Sequence, residues 1–214
     1  MLNFFFLNRF FLNRRYFLYC IFLLLSACAI LPKPPSQQSS PLSAIHQQHL
    51  AKLSTIKGFS LKGRLGVVTQ KQGFSGGLDW QHNLAEDNIN VFSPVGGKVA
   101  NIHKDATGVT LIKQDGQSIR AQNAESLTET TLGFRLPLAG LSDWTLGKPT
   151  ASNIEASTWD ENGRLLALKQ DGWDISYENY IEVNGQFLPK KIVLKSTPLN
   201  LKLLIEAWDS VITN

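Results

Sequence analysis

From Phe59 onward the apolar residues of this chain recur at every second position, and that alternation leaves few folds open. Phe59, Leu61, Leu65 and Val67 fall on one face, with Ser60, Lys62 and Arg64 on the other. The pattern continues through Phe74, Gly76, Leu78 and Trp80, then Ile89 and Val91, Ala100 and Ile102, Val109 and Leu111. Successive side chains of a strand point to opposite faces, so the pattern describes half-buried strands. Polar clusters at Lys71-Gln72-Gly73, Ala85-Glu86-Asp87 and Gln114-Asp115-Gly116 separate them as short turns. Strands joined this closely are antiparallel, and no strand–helix–strand rhythm appears. The chain is therefore expected to be mainly β, a meander that curls into a barrel or open sheet.

Helical spacing occurs in two places. Leu42, Ile45, His49/Leu50, Leu53 and Ile56 recur every three or four residues, which predicts a helix over 42–56 with Gly58 as its C-cap. After Ala121 the alternation breaks into two short helical pieces, Ala124 to Leu132, stopped by Gly133, and Leu138 to Leu146, stopped by Gly147 and Pro149; Asn123 suits the N-cap of the first. Strands resume at Ile154 to Trp159, Leu165 to Lys169, Trp173 to Tyr177, Gln186 to Leu194 and Leu199 to Trp208. Asp160-Glu161-Asn162-Gly163 and Gln170-Asp171-Gly172 read as hairpin loops.

Ahead of this domain, Arg9, Arg14 and Arg15 precede the apolar run Tyr16 to Leu25, which ends in Leu25-Ser26-Ala27-Cys28. A basic segment, a short apolar core and small residues make a secretory signal, too short in its apolar part for a stable membrane span. The tetrapeptide resembles a bacterial lipoprotein processing site, which implies that Cys28 becomes an acylated N-terminus. The competing reading is one anchoring helix from Cys20 to Leu31 with Cys28 as a buried thiol. Pro32, Pro34 and Pro35, then Ser36 to Ser40, form a tether that packs poorly. Ala29 stands where an Asp would mark inner-membrane retention, so the resemblance points to the outer membrane. The expected division is a signal at 1–27, a lipid-attached linker at 28–41 and one domain at 42–214.

Of 214 residues, 187 remain once the signal is removed, one domain's worth of chain. Loss of its three arginines takes the net charge from +4 to +1. A nearly neutral domain without a Lys/Arg block has no electrostatic footprint for nucleic acid. Cys20 leaves with the signal and Cys28 carries lipid, so no disulfide forms within one chain and the fold rests on its core.

Motifs for chemistry fail on context. Gly73-Phe74-Ser75-Gly76-Gly77 matches the nucleophile elbow of α/β-hydrolases, but residues 74–80 alternate like a strand and no helix follows. His46 and His49 share a helix face without a third ligand nearby, so solvated helix polarity is the expected account. His103-Lys104-Asp105 and Asp115 fall at turns that favour polar residues, and Gly96-Gly97-Lys98 lacks the spacing of a phosphate loop. No enzyme, metal site or cofactor is expected. Ser93-Pro94-Val95-Gly96-Gly97 is different, because it carries an apolar residue at the tip of a tight turn. Either Val95 folds back onto the sheet or it projects, and a projecting apolar tip is how a protein touches a bilayer or partner.

Taken in order, Cys28, Gly58-Phe59-Ser60-Leu61-Lys62-Gly63-Arg64, Trp80, Ser93-Pro94-Val95-Gly96, Trp144-Thr145-Leu146-Gly147-Lys148-Pro149, Leu188-Pro189 and Leu201-Lys202-Leu203 with Trp208 resemble the LolB family of outer-membrane lipoprotein receptors. The resemblance runs from Cys28 nearly to the C-terminus. It implies an unclosed antiparallel β-barrel with helices as a lid over an apolar cavity. In that cavity acyl chains of cargo lipoproteins would be accepted from the periplasmic carrier LolA and passed to the outer membrane without ATP. A monomer is expected. Family members carry a leucine at the tip of the protruding turn where this chain has Val95, so Pro94, Val95 and Gly96 become the expected membrane-insertion loop. The apolar faces nominate Leu61, Leu65, Phe74, Leu78, Trp80, Ile89, Val91, Ile102 and Leu111 for the cavity, with Leu141 and Trp144 from the lid. Period two marks a cavity wall and a filled core alike, and leaves that choice open. The alternative function is a lipid-anchored barrel for another apolar ligand, or a structural outer-membrane lipoprotein.

Overall fold

The computed structural model describes residues 41–70, 73–132, 138–197 and 199–213; the signal, Cys28 and the linker before Pro41 lie outside them. Helix α1 (Pro41–Ser54) leads into six strands, β1 (Ile56–Thr69), β2 (Gly73–Asn83), β3 (Asp87–Phe92), β4 (Lys98–Asp105), β5 (Gly108–Lys113) and β6 (Ser118–Ala121). Helices α2 (Ala124–Leu132) and α3 (Leu138–Thr145) follow, and then β7 (Ile154–Trp159), β8 (Leu165–Gln170), β9 (Trp173–Val183), β10 (Gln186–Ser196) and β11 (Leu199–Thr213). Among the described residues, eleven strands form one sheet in the order β6-β5-β4-β3-β2-β1-β11-β10-β9-β8-β7, with every pairing antiparallel. The first and last strands meet at the centre, and β6 and β7 are left as the two edges. This is the unclosed antiparallel sheet that the alternation and the resemblance predict.

Three local expectations change. The periodicity predicts a helix through Ile56, but α1 ends at Ser54, where Thr55 N and Oγ1 both donate to Lys52 O (3.1 and 2.8 Å) and Ser54 Oγ donates to Leu50 O (2.8 Å). Ile56 already pairs in β1, and Gly58 lies in the sheet, where a Cβ would meet His82 O at 2.7 Å. That glycine serves a close backbone approach and caps nothing. Asp87, expected in a turn, opens β3 and is 3% exposed. Finally, β6 is a four-residue edge strand that the pattern did not single out.

The helical insertion follows its local signals. Asn123 Oδ1 accepts from Ser126 N (2.8 Å), an N-cap whose removal costs about 1 kcal/mol. After α3, Gly147 takes φ +75°, its N–H donates to Trp144 O (3.0 Å) and Lys148 N donates to Asp143 O (3.0 Å). These paired bonds form a Schellman cap, and a left-handed residue there favours glycine. Buried Gln170 of β8 then ties the insertion to the sheet: its Oε1 accepts from Trp144 Nε1 and Thr150 N, both at 3.0 Å, and its Nε2 donates to Ser152 O (2.9 Å).

Candidate functional site, an apolar cavity and an exposed turn

The inner face of the sheet and helix α3 border a partly open cavity of about 70 Å³. Its walls are Leu65 of β1, Leu78 and Trp80 of β2, Ile89 and Val91 of β3, Ile102 of β4, Ile192 and Leu194 of β10, and Leu201 and Leu203 of β11. Leu138, Leu141, Trp144 and Thr145 of α3 cover it. Apart from Thr145 the lining residues are apolar or aromatic, so what it offers a ligand is the replacement of water by hydrocarbon.

Of the residues nominated by the alternation, Leu65, Leu78, Trp80, Ile89, Val91, Ile102, Leu141 and Trp144 line this space. Leu61 and Leu111 are buried in the surrounding core outside the lining. Phe74 is 37% exposed near the start of β2, with its ring lying over Gly76, where an added Cβ would come within 2.7 Å of Cζ. The whole second wall, from Ile192 to Leu203, was absent from the nominated set. Its alternation was visible, but nothing local shows that β10 and β11 curve round to face β2 and β3.

Trp80 is held by a buried carboxylate that the sequence pattern assigned to a turn. Asp87 Oδ1 accepts from Trp80 Nε1 (2.9 Å) and from His82 Nδ1 (2.7 Å), while Oδ2 accepts from Lys104 Nζ (3.1 Å). Burial by itself would raise the Asp87 pKa, but the bonds from His82 and Trp80 outweigh it and hold the carboxyl below its ordinary value. Phe59 packs edge-on to Trp80 at 5.1 Å between centroids, and edge-on to Trp208 at 5.5 Å. One cavity wall is thus fixed by both an aromatic cluster and an ionic one. The hint in the sequence was Trp80 and His82 on one strand face, with an acid just across the hairpin.

The turn between β3 and β4 projects. Ser93 N donates to Gly97 O (2.7 Å), Gly96 N donates to Ser93 O (2.9 Å), and Gly97 N donates to Ser93 Oγ (3.2 Å). Pro94 presets the first central position, and Gly96 at φ +92° closes the turn in the left-handed region. Val95 between them is 94% exposed, so it does not fold onto the sheet.

Other candidates resolve differently. Ser75 sits inside β2 opposite Gly66, without the strand-to-helix turn a nucleophile elbow needs, and His82 is engaged by Asp87. His49 is buried, contrary to the expectation of a solvated helix face, and burial lowers its pKa and favours the neutral ring. His46 stacks on Trp159 at 4.8 Å. Among the described residues, no group of three or more His, Cys, Asp or Glu is placed to hold a metal ion.

The architecture defines a class: an open antiparallel half-barrel whose apolar inner face is covered by an inserted helical lid. The family described as "Outer membrane lipoprotein LolB" matches residues 57–208. An outer-membrane lipoprotein LolB of Nitrosomonas europaea is 39% identical over 71% of this chain and 72% of its own. Those of Thiobacillus denitrificans and Pseudomonas syringae are 33% and 30% identical, covering 87% and 92% of this chain and 92% and 96% of theirs. Likeness to solved structures is distant: a LolA superfamily protein of Nitrosomonas europaea gives a TM-score of 0.46 at 9% identity, over 76% of this chain and 92% of that one. The chain belongs to the LolB family. It is a lipid-anchored protein of the outer membrane with a role in outer-membrane lipoprotein localisation.

Proposed function

We propose that this protein is a receptor that accepts acylated lipoproteins from the carrier LolA into its apolar interior and delivers them to the outer membrane. It is not an enzyme, and it works without ATP. Cys28 carries the lipid anchor, α3 with Leu138, Leu141 and Trp144 is the lid, and Pro94, Val95 and Gly96 form the turn that enters the bilayer. The observation that carries this reading is a helix-covered, apolar interior on the same sheet as a tight turn whose tip residue is 94% exposed.

The energetics suit a relay. Each methylene moved from water to an apolar site gains about 0.8 kcal/mol, whereas moving it between two apolar sites is nearly balanced. Direction then comes from tighter binding here than in the carrier, with the bilayer as the final sink. At about 70 Å³ the cavity is smaller than a fatty-acyl chain requires. Cargo binding therefore requires α3 to move off the inner face of the sheet, which would join the cavity to the space the helix now fills.

The test is transfer of a radiolabelled acylated lipoprotein from LolA to this protein in vesicles, without nucleotide, for the wild type and for Val95→Glu. The expected result is full transfer by the wild type, and a variant that accepts cargo but does not release it to lipid. A folded wild type that accepts no cargo would overturn the reading. A Val95→Glu variant that delivers normally would leave a lipid-anchored binder of apolar ligands.

A further inference from the structure

The exposed tip does not stand alone. Strands β3 to β5 turn one face to the cavity, through Ile89, Val91 and Ile102, and the other to solvent. On that outer face, Phe92 and Val99 flank the Val95 turn as half-buried side chains outside the core cluster, and Ile112 on β5, opposite Asn101, is 43% exposed. Farther from the turn the same face becomes polar, where Asn101 Nδ2 donates to Asn88 Oδ1 (2.7 Å) and to Asn90 Oδ1 (3.0 Å). The outer face therefore carries an amide patch on β3 and β4, bordered by apolar side chains on the turn side, Phe92 and Val99, and on β5, where Ile112 stands level with Asn101.

We propose that the bilayer contact is this whole apolar zone, with Val95 as its tip, so that the outer face of β3 to β5 rests on the lipid as far as the asparagine row. The proposal rests on the reading of the Val95 turn as membrane-facing. Three observations favour lipid over a protein partner. The zone is continuous with the turn, and the family to which the chain belongs is located at a membrane. Lys98 and Lys113, exposed at the level of the apolar zone, supply positive charge for anionic headgroups.

A surface of this kind fixes orientation as well as attachment. A single valine leaves the domain free to tilt about the turn, whereas a face two or three strands wide sets the angle at which the cavity meets the bilayer.

The experiment places a fluorescent amino acid at position 112, 95 or 84 of the full-length protein, bound to vesicles of phosphatidylethanolamine with a minority of phosphatidylglycerol. Quenching by lipids carrying a shallow nitroxide is then read at each position. Quenching at 95 and 112, with position 84 at the opposite end of β3 unaffected, is the expected result. Quenching at 95 without 112 overturns this inference and leaves the turn's role intact; no quenching at 95 overturns both. Equal quenching at all three shows no fixed orientation and also overturns the inference. In the transfer assay, Ile112→Asp is expected to lower delivery several-fold with cargo acceptance unchanged, and unchanged delivery counts against the proposal.

Discussion

Strand β3 runs between two turns that each present an apolar residue to water, and they differ in what stands beneath them. Val95, after β3, is 94% exposed, and Leu84, before it, is 80% exposed. The Leu84 turn is closed by Asn83, whose Oδ1 accepts from Ala85 N and Glu86 N (2.8 and 3.0 Å), and its neighbour on the inner face is the Asp87 cluster with Trp80, His82 and Lys104. The Val95 turn is closed by Ser93, Pro94 and Gly96, and an apolar outer face lies next to it. Exposure of a hydrophobic side chain is common and decides little by itself. Its surroundings determine whether the tip is one end of an apolar surface or an isolated leucine over an ionic lock.

The largest effect on stability should come from the lock. Asp87→Ala leaves the buried Trp80 indole and the largely buried His82 without their acceptor, while Lys104 keeps part of its contact with water, and is expected to cost about 1–3 kcal/mol in urea unfolding. The neighbouring exposed substitution Glu86→Ala should stay within about 0.5 kcal/mol. Acid should loosen the same lock. The folded-state pKa of Asp87 is depressed, so its contribution is fully present above the unfolded value, near about 3.9, and is lost as pH falls through the lower folded value. Asp87→Asn should flatten the acid limb of a stability–pH curve, and an unchanged limb would show that other carboxylates set it.

Next comes the tip. Val95→Glu forfeits about 1.5–3 kcal/mol of apolar transfer, which predicts at least a roughly ten-fold loss of delivery with thermal stability unchanged. Restoring the leucine of the family, Val95→Leu, adds about 0.8 kcal/mol, or about a four-fold gain in partition into vesicles. Leu84→Glu should change neither delivery nor stability measurably. If it impaired delivery as much as Val95→Glu, the contrast between the two turns would collapse.

Much of this molecule was legible as sequence, because its signals are local. Period two in β1 to β5, the Asn123 cap, the Gly147 stop and the Ser93-Pro94-Val95-Gly96 turn depend on residues within a few positions of one another, where backbone sterics and nearest hydrogen bonds decide the conformation. Even here the end of α1 and the role of Gly58 were misplaced, since a strand partner 25 residues away, Asn83, competes for that segment.

What the tertiary structure alone decided is everything that joins distant strands. Pairing of β1 with β11 puts the first and last strands at the centre of the sheet, and its curvature brings Ile192, Leu194, Leu201 and Leu203 into one cavity lining with Leu78 and Ile89. Alternation assigns a side chain to a face but carries no information on how far away the facing wall lies, so cavity wall and packed core stay indistinguishable until the sheet is curved. Asp87 reads as a turn residue for the same reason. Its burial follows from Lys104 and His82 arriving on neighbouring strands, and only the assembled sheet makes that position a place for a carboxylate.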